Sequence, residues 1–542
     1  MSDQTPYDGQ PEYLEQGGGQ PLSSPPPPPK ADSSRRKGLI AGGALALAAL
    51  VGGGVWAATS FFGQGAQPAE ALPAGTIGYA SIDLDPSGGQ KIEAFKILRR
   101  FPAFRDQVGL NADDDLKKKA FESMHSDGFC PDLSYSDIDS WLGDRFAMAA
   151  VDLGEQNPTP VAVIQVTDDA KAEAGLKKIQ SCAGGDGSGG FVVDGDWAVV
   201  AETESIAQKV VDKTGEGTLA DDSDYQKWTS EVGDAGVVNM YAAPEAGRYL
   251  AQMADQFSGM ASDFGSMSGD SSMGGMGSSP MPPEMTDQLK DFPGLALTVR
   301  FNDGAVEVAA AGGTNDQTTA LLGDGGLSSM TDLPDNTAAA LGFSLGDGWV
   351  QKMLDQFSSM SGMSSDEMVA QVEQETGMTL PDDLQTLLGD SATFALSSDF
   401  SPETFMNSSD GSDVPVGMRV HGDSAAIGSV LDKIAAKDAT AGTVLGHDAS
   451  GDSVAIGPNA AYRAELLKDG SLGDSEAFKD VIPEADKSSV ALFVNFDAGD
   501  WLTNLAQGDS EAVANLQPLK GLGMSSWIDG DTSHFLLRLT TE

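Results

Sequence analysis

The sequence is short of cysteine, histidine and positive charge. Two cysteines, Cys130 and Cys182, and four histidines, His125, His421, His447 and His534, are too scattered for a metal cluster of ordinary ligand spacing. The same scarcity leaves any serine without a recognisable base. Gly-Asp-Ser recurs at Gly389, Gly422, Gly451, Gly473 and Gly508 with no histidine motif beside it, so these read as turns rather than nucleophiles. Lys and Arg total 32 against 81 Asp and Glu, a formal net charge of −49. A field of that sign repels phosphate backbones and anionic head groups, which excludes nucleic acid as a partner.

What positive charge there is has a telling position. Arg35, Arg36 and Lys37 stand just before Leu39 to Phe62, a run of 24 uncharged residues. About 20 apolar residues cross a bilayer as a helix, and basic residues tend to stay on the cytoplasmic side. The expected organisation is therefore a disordered, Pro-rich cytoplasmic tail over 1–37, a transmembrane helix over 38–62, a linker over 63–71 and everything beyond outside the plasma membrane. The tail holds five acidic residues against four basic ones, so −48 of the charge belongs to the exported part. A competing reading is a cleaved export signal. Ser34-Arg35-Arg36 before Leu39 and Ile40 partly resembles a twin-arginine signal, and Ala69-Glu70-Ala71 has the small-x-small form of a cleavage site. Gly38 stands where such signals carry a bulky apolar residue, and the run exceeds the ~7–15 residues of a signal core, which favours the anchor. In an oxidising compartment Cys130 and Cys182 are expected to pair, the alternative being two separate buried thiols.

The exported part reads as a tandem duplication, 72–325 and 331–542. Leu72-Pro73-Ala74-Gly75-Thr76 is matched by Leu333-Pro334-Asp335-Asn336-Thr337, and Leu142-Gly143-Asp144 by Leu388-Gly389-Asp390. Gly294 matches Gly521 at a shorter offset, because a Gly, Ser and Met-rich segment at 258–283 has no counterpart and reads as a disordered loop. The first copy suggests strand 77–82, helix 90–104, strands 145–152 and 161–166, helix 170–181 and strand 198–201. A helix-strand-helix and a hairpin at Asn302-Asp303-Gly304 follow. The fold class is α+β: two domains side by side with mostly antiparallel sheets, each opening in the βαββαβ order of a ferredoxin-like motif. Aspartates at strand ends, such as Asp83 and Asp497, are expected to cap helices.

Two metal readings can be drawn and both are weak. Asp83, Asp85 and Ser87 with Gly88 mimic the start of a calcium loop, but its twelfth position is Ala94 and Pro86 interrupts it, so a strand-to-helix turn is the simpler reading. Met273, Met276, Met360 and Met363 are soft ligands at a spacing that would suit Cu(I), set against an adaptable apolar surface or an ordinary loop and helix stripe. No cofactor is expected.

The stretch Leu72 to Phe104, with Thr76-Ile77-Gly78-Tyr79-Ala80-Ser81-Ile82-Asp83 and later Phe101-Pro102-Ala103-Phe104, resembles the actinobacterial envelope family called domain of unknown function 3352. That resemblance implies a Pro-rich cytoplasmic tail, one membrane helix and a long exported part, and brings no catalytic residues with it. The expected function is a membrane-anchored, non-enzymatic module that binds or scaffolds a protein, polymer or lipid of the cell envelope. An envelope-polymer hydrolase with its carboxylates hidden among the acidic residues, and a carrier of a hydrophobic ligand, are the alternatives.

Overall fold

The computed structural model describes residues 67–84, 89–102, 117–118, 121–122, 125, 130–182, 189–249, 291–315, 319, 322–323, 326–346, 348–361, 364–499 and 510–542. The calcium-loop residues Asp85 and Ser87, the methionines Met273, Met276 and Met363, the basic triplet and the apolar run Leu39 to Phe62 lie outside them. Among the described residues no helix is long and apolar enough to cross a membrane.

Among the described residues, runs of Val, Ala, Leu, Ile and Phe bounded by Gly and Asp turns form sixteen strands. The first eight are β1 (Thr76–Asp83), β2 (Leu142–Val151), β3 (Thr159–Val166), β4 (Gly190–Asp194), β5 (Trp197–Ala201), β6 (Val238–Ala242), β7 (Leu295–Asn302) and β8 (Ala305–Gly313). The second eight are β9 (Thr337–Phe343), β10 (Ser391–Ser397), β11 (Val416–His421), β12 (His447–Ser450), β13 (Ser453–Ile456), β14 (Val490–Asn495), β15 (Leu519–Asp529) and β16 (Thr532–Thr541). All sixteen join one sheet, in the order β12-β13-β11-β10-β9-β14-β15-β16-β8-β7-β6-β1-β2-β3-β5-β4. From the β8–β16 junction outward, each half runs eighth, seventh, sixth, first, second, third, fifth and fourth of its own strands.

The junction has a specific register. The hairpin turns at Asn302–Ala305 and Asp529–Thr532 stand 227 residues apart, so Ala309 and Leu536 are counterparts, and these two residues pair with each other. A pseudo-two-fold axis therefore passes between them, and the contact is isologous in kind. The two copies stand side by side, joined edge to edge in one continuous sheet rather than carrying separate sheets. Pairing two edge strands also satisfies backbone groups that would otherwise recruit foreign strands.

Every neighbouring strand pair is antiparallel. The split ferredoxin-like pairing is therefore absent. After the helix Asp169–Cys182 the chain adds an extra strand, β4, before β5, so β5 meets β3 antiparallel without a parallel crossover. The expected helix-strand-helix is present with one helix added: Glu204–Thr214 and Ser223–Glu231 precede β6, and the chain is helical again at 246–249 after it. The expected Asp-Gly hairpin is in place, with Asp303 and Gly304 both at positive φ (49° and 74°).

One face of the sheet carries the main cores. Tyr79, Ala149, Val163, Val199 and Tyr241 pack under the first half, with Ala69, Ala71 and Leu72 among them, and Ala340, Ala395, Ala491, Phe478 and Phe493 under the second. On the other face, Ala392, Val420 and Val454 lie against Ile427 and Leu431 of the helix Ser424–Lys437. That helix starts on Asp423, whose carboxylate accepts Ala425 N–H and Ala426 N–H; Asp168 accepts Lys171 N–H at the matching place in the first half. The helix Gln90–Leu98 has Gly89 rather than Asp83 at its N-cap, and Asp83 receives a hydrogen bond from Arg145.

Candidate functional site

The side chains that stand out lie on the second face of β9, β10, β11 and β14. Alternation along each strand sends Ala340, Ala395, Ala491 and Phe493 to the first face, where helices bury them. The intervening residues Leu341, Phe394, Leu396 and Leu492 point the other way. The covering helix ends before it reaches them, and Val444 and Leu445 form one wall. The result is an open groove of about 440 Å³ whose lining is Ala, Gly, Leu, Ile, Val, Met, Phe and Pro alone. Phe394 is 50% exposed and Leu341 40% exposed, although an uncovered antiparallel face is ordinarily polar. The Phe343 and Phe394 rings lie 6.1 Å apart along this side.

The groove opens onto a longer apolar row. Leu341, Leu492, Met524, Leu537, Val308 and Val299 sit directly opposite one another on successive strands, and the row crosses the pseudo-two-fold axis. The first-half counterparts of Leu341, Phe394, Leu396 and Leu492 in the sheet register are Ala80, Met148, Ala150 and Met240. The bulkier floor thus belongs to the second half.

A second arrangement superficially suggests hydrolysis. Ser328 Oγ lies 3.4 Å from His421 Nδ1, and Asp332 Oδ2 lies 3.8 Å from His421 Nε2. Arg419 decides its chemistry. Its Nε donates to His421 Nε2 at 3.2 Å, and a guanidinium can only donate, so Nε2 holds the lone pair and Nδ1 the proton. Burial, followed by the neighbouring Arg419 charge, lowers the His421 pKa and keeps the ring neutral. The nitrogen facing Ser328 is then a donor and cannot take its proton, as a general base must.

Of the residues singled out in the sequence, Cys130 and Cys182 form a disulfide with Cα atoms 5.3 Å apart, tying a loop to the end of the helix Asp169–Cys182. Asp83 accepts Arg145 Nε at 2.9 Å in a nearly buried ion pair, so its carboxylate already faces a cation. Met360 lies in the helix Trp349–Ser361. Among the described residues no group of three or more His, Cys, Asp or Glu is placed to hold a metal. Gly389, Gly422 and Gly451 occupy turns at positive φ. The groove residues escaped sequence reasoning, yet a signal was present. Val490-Ala491-Leu492-Phe493-Val494 is apolar at consecutive positions, the pattern of a strand covered on both faces.

No protein-family model matches this chain, and no curated protein matches it. Two crystal structures of TP0453, forms I and III, are similar to it at TM-scores of 0.21 and 0.20 and identities of 8% and 7%. They cover 47% of this chain and 81% and 82% of theirs. Likeness at that level carries no argument.

Proposed function

We propose that this chain is a membrane-anchored, non-enzymatic binding module of the cell envelope, built by tandem duplication, whose second half holds the acyl chain of an amphiphile in its groove. The observation that carries the reading is the wholly apolar lining around half-exposed Phe394 and Leu341. Apolar surface left open on one side gains free energy when an apolar ligand covers it, about 25 cal/mol per Å². The volume lies in the ~300–1,000 Å³ range of ligand sites. The net charge of −49 disfavours an anionic head group, so a neutral or zwitterionic amphiphile is the expected class.

The uncleaved anchor draws support from packing. Ala69 and Ala71 are 1% and 9% exposed and belong to the first-half core together with Leu72. Cleavage after Ala71 would strip two core residues from the folded unit. N-terminal sequencing of the mature protein should therefore not begin at Leu72. For the groove, a zwitterionic lysophosphocholine probe with a polarity-sensitive group on its acyl chain should bind saturably to the full chain. Phe394→Asp should abolish that binding and Met148→Asp, at the equivalent place in the first half, should leave it. Equal binding by both variants would remove the groove from the account.

A further inference from the structure

The two halves differ most informatively at the outer ends of β1 and β2 and of β9 and β10. In the first half the pair beyond Ile82 and Phe146 is Asp83 and Arg145, directly opposite in the ladder and joined at 2.9 Å. In the second half the pair beyond Phe343 and Ala392 is Ser344 and Ser391. The preceding aspartate is present in both: Asp144 in the first half, where Lys117 Nζ lies 3.2 Å from its carboxylate, and Asp390 in the second. Two of the protein's own cations thus sit against carboxylates in the first half. Where the second half has the two serines there is instead a polar cleft of about 1,010 Å³.

That cleft is lined by Asp382, Asp390 and Asp423, and no Lys or Arg is among its described lining residues. Acidic residues alone would mean little on a chain of this charge. Ser391 supplies an independent observation: it lines the cleft, is 4% exposed, and its Oγ has no hydrogen-bond partner. A buried hydroxyl left unpaired costs free energy that a bound donor would recover. Ser344 Oγ, by contrast, donates to Asp390 O and is satisfied.

We propose that this cleft binds a guanidinium group, which takes the place filled by the Arg145 side chain in the first half. The planar donor fork meets the Asp390 carboxylate and the Ser391 hydroxyl, both acceptors, in a recess that the side chains of an Asp–Arg pair would otherwise occupy. The groove of the preceding section lies among other residues, so this site stands or falls independently of it.

The guanidinium can belong to a small molecule or to an arginine side chain. Agmatine and the amide of Gly-Arg-Gly are therefore titrated in parallel into the full chain in nanodiscs, by calorimetry at moderate ionic strength. Saturable binding of at least one is expected, and the tighter of the two assigns the source. The double variant Ser344→Asp with Ser391→Arg rebuilds the first-half ion pair, fills the recess, and should weaken binding by about tenfold or more. Asp390→Asn, a change at an exposed side chain, should weaken it similarly while leaving the thermal midpoint unchanged, which keeps the test open should the double variant fail to fold. Binding of neither probe, or binding that Asp390→Asn leaves intact, would overturn the proposal and reduce the interaction to the diffuse attraction of an acidic surface.

Discussion

Arg538 of β16 donates to the carboxylate of Glu307 on β8 at 2.5 Å, and Glu307 also receives Arg300 from β7. The strand pair that joins the two halves is therefore fastened by a buried charge that only the first half supplies. At the place matching Arg300 and Glu307, the second half carries Trp527 and His534, which stack 5.0 Å apart. Arg300 and Arg538 also donate to the carbonyls of Val232 and Asp480, which ties the junction to the segments beside it.

Truncation of that carboxylate should be costly, because it leaves two mostly buried guanidinium groups without their counter-charge. Glu307→Ala is expected to lower unfolding free energy by about 3–5 kcal/mol. Trp527→Leu, which removes a stacking partner and no charge, should cost less, about 1–3 kcal/mol. Denaturant unfolding of both variants checks the ranking. Equal costs would mean that the junction does not depend on the ion pairs.

Glycine at position 389 is a second point where backbone geometry decides. Gly389 sits at φ 58° and ψ −150°, a region that glycine alone occupies readily, and a Cβ there would come within 2.1 Å of His421 O. Gly451, also at positive φ, has open space around it. Gly389→Ala should destabilise by about 3 kcal/mol or more and Gly451→Ala by about 1 kcal/mol, measured as unfolding free energies.

The lowered pKa of His421 has a defined consequence for acid stability. Burial is the main cause and Arg419 adds to it, while Asp332, Asp452 and Asp390 oppose them. Because the folded value lies below the ordinary ~6.5, the unfolded chain takes up a proton that the folded chain refuses. Stability is thus lost as pH falls through about 6.5, until the folded ring itself titrates. His421→Gln should flatten the stability profile between about pH 7 and 5. Parallel profiles for the two proteins would show that His421 contributes nothing there.

Much of each half was legible in residues whose physics is local. Leu142-Gly143-Asp144, which opens β2, and Leu388-Gly389-Asp390, which leads into β10, mark the same place, where a glycine Cβ would collide with Gln165 or with His421 O. The Asp303-Gly304 turn needed only its own backbone preference. An ion pair that recurs in both halves, Lys178 with Asp137 and Lys433 with Asp383, was not visible because its members lie 41 and 50 residues apart. The junction was hidden for the same reason on a larger scale: nothing local in Ala305–Gly313 says that its partner strand begins at Thr532. The groove depended on where the helix Ser424–Lys437 stops covering the sheet, which is a matter of tertiary packing rather than strand pattern.

The central claim, that the second-half groove holds an acyl chain, is tested most directly by light-activated crosslinking. A zwitterionic lysophosphocholine with a diazirine on its acyl chain is incubated with the full chain in nanodiscs, irradiated, and the labelled peptides mapped by mass spectrometry. The account predicts labels concentrated on the groove lining at Leu341, Phe394, Val444, Leu445 and Ile456 to Pro458, and their loss in Phe394→Asp. Labels absent from those segments, or equally strong there in Phe394→Asp, would contradict it.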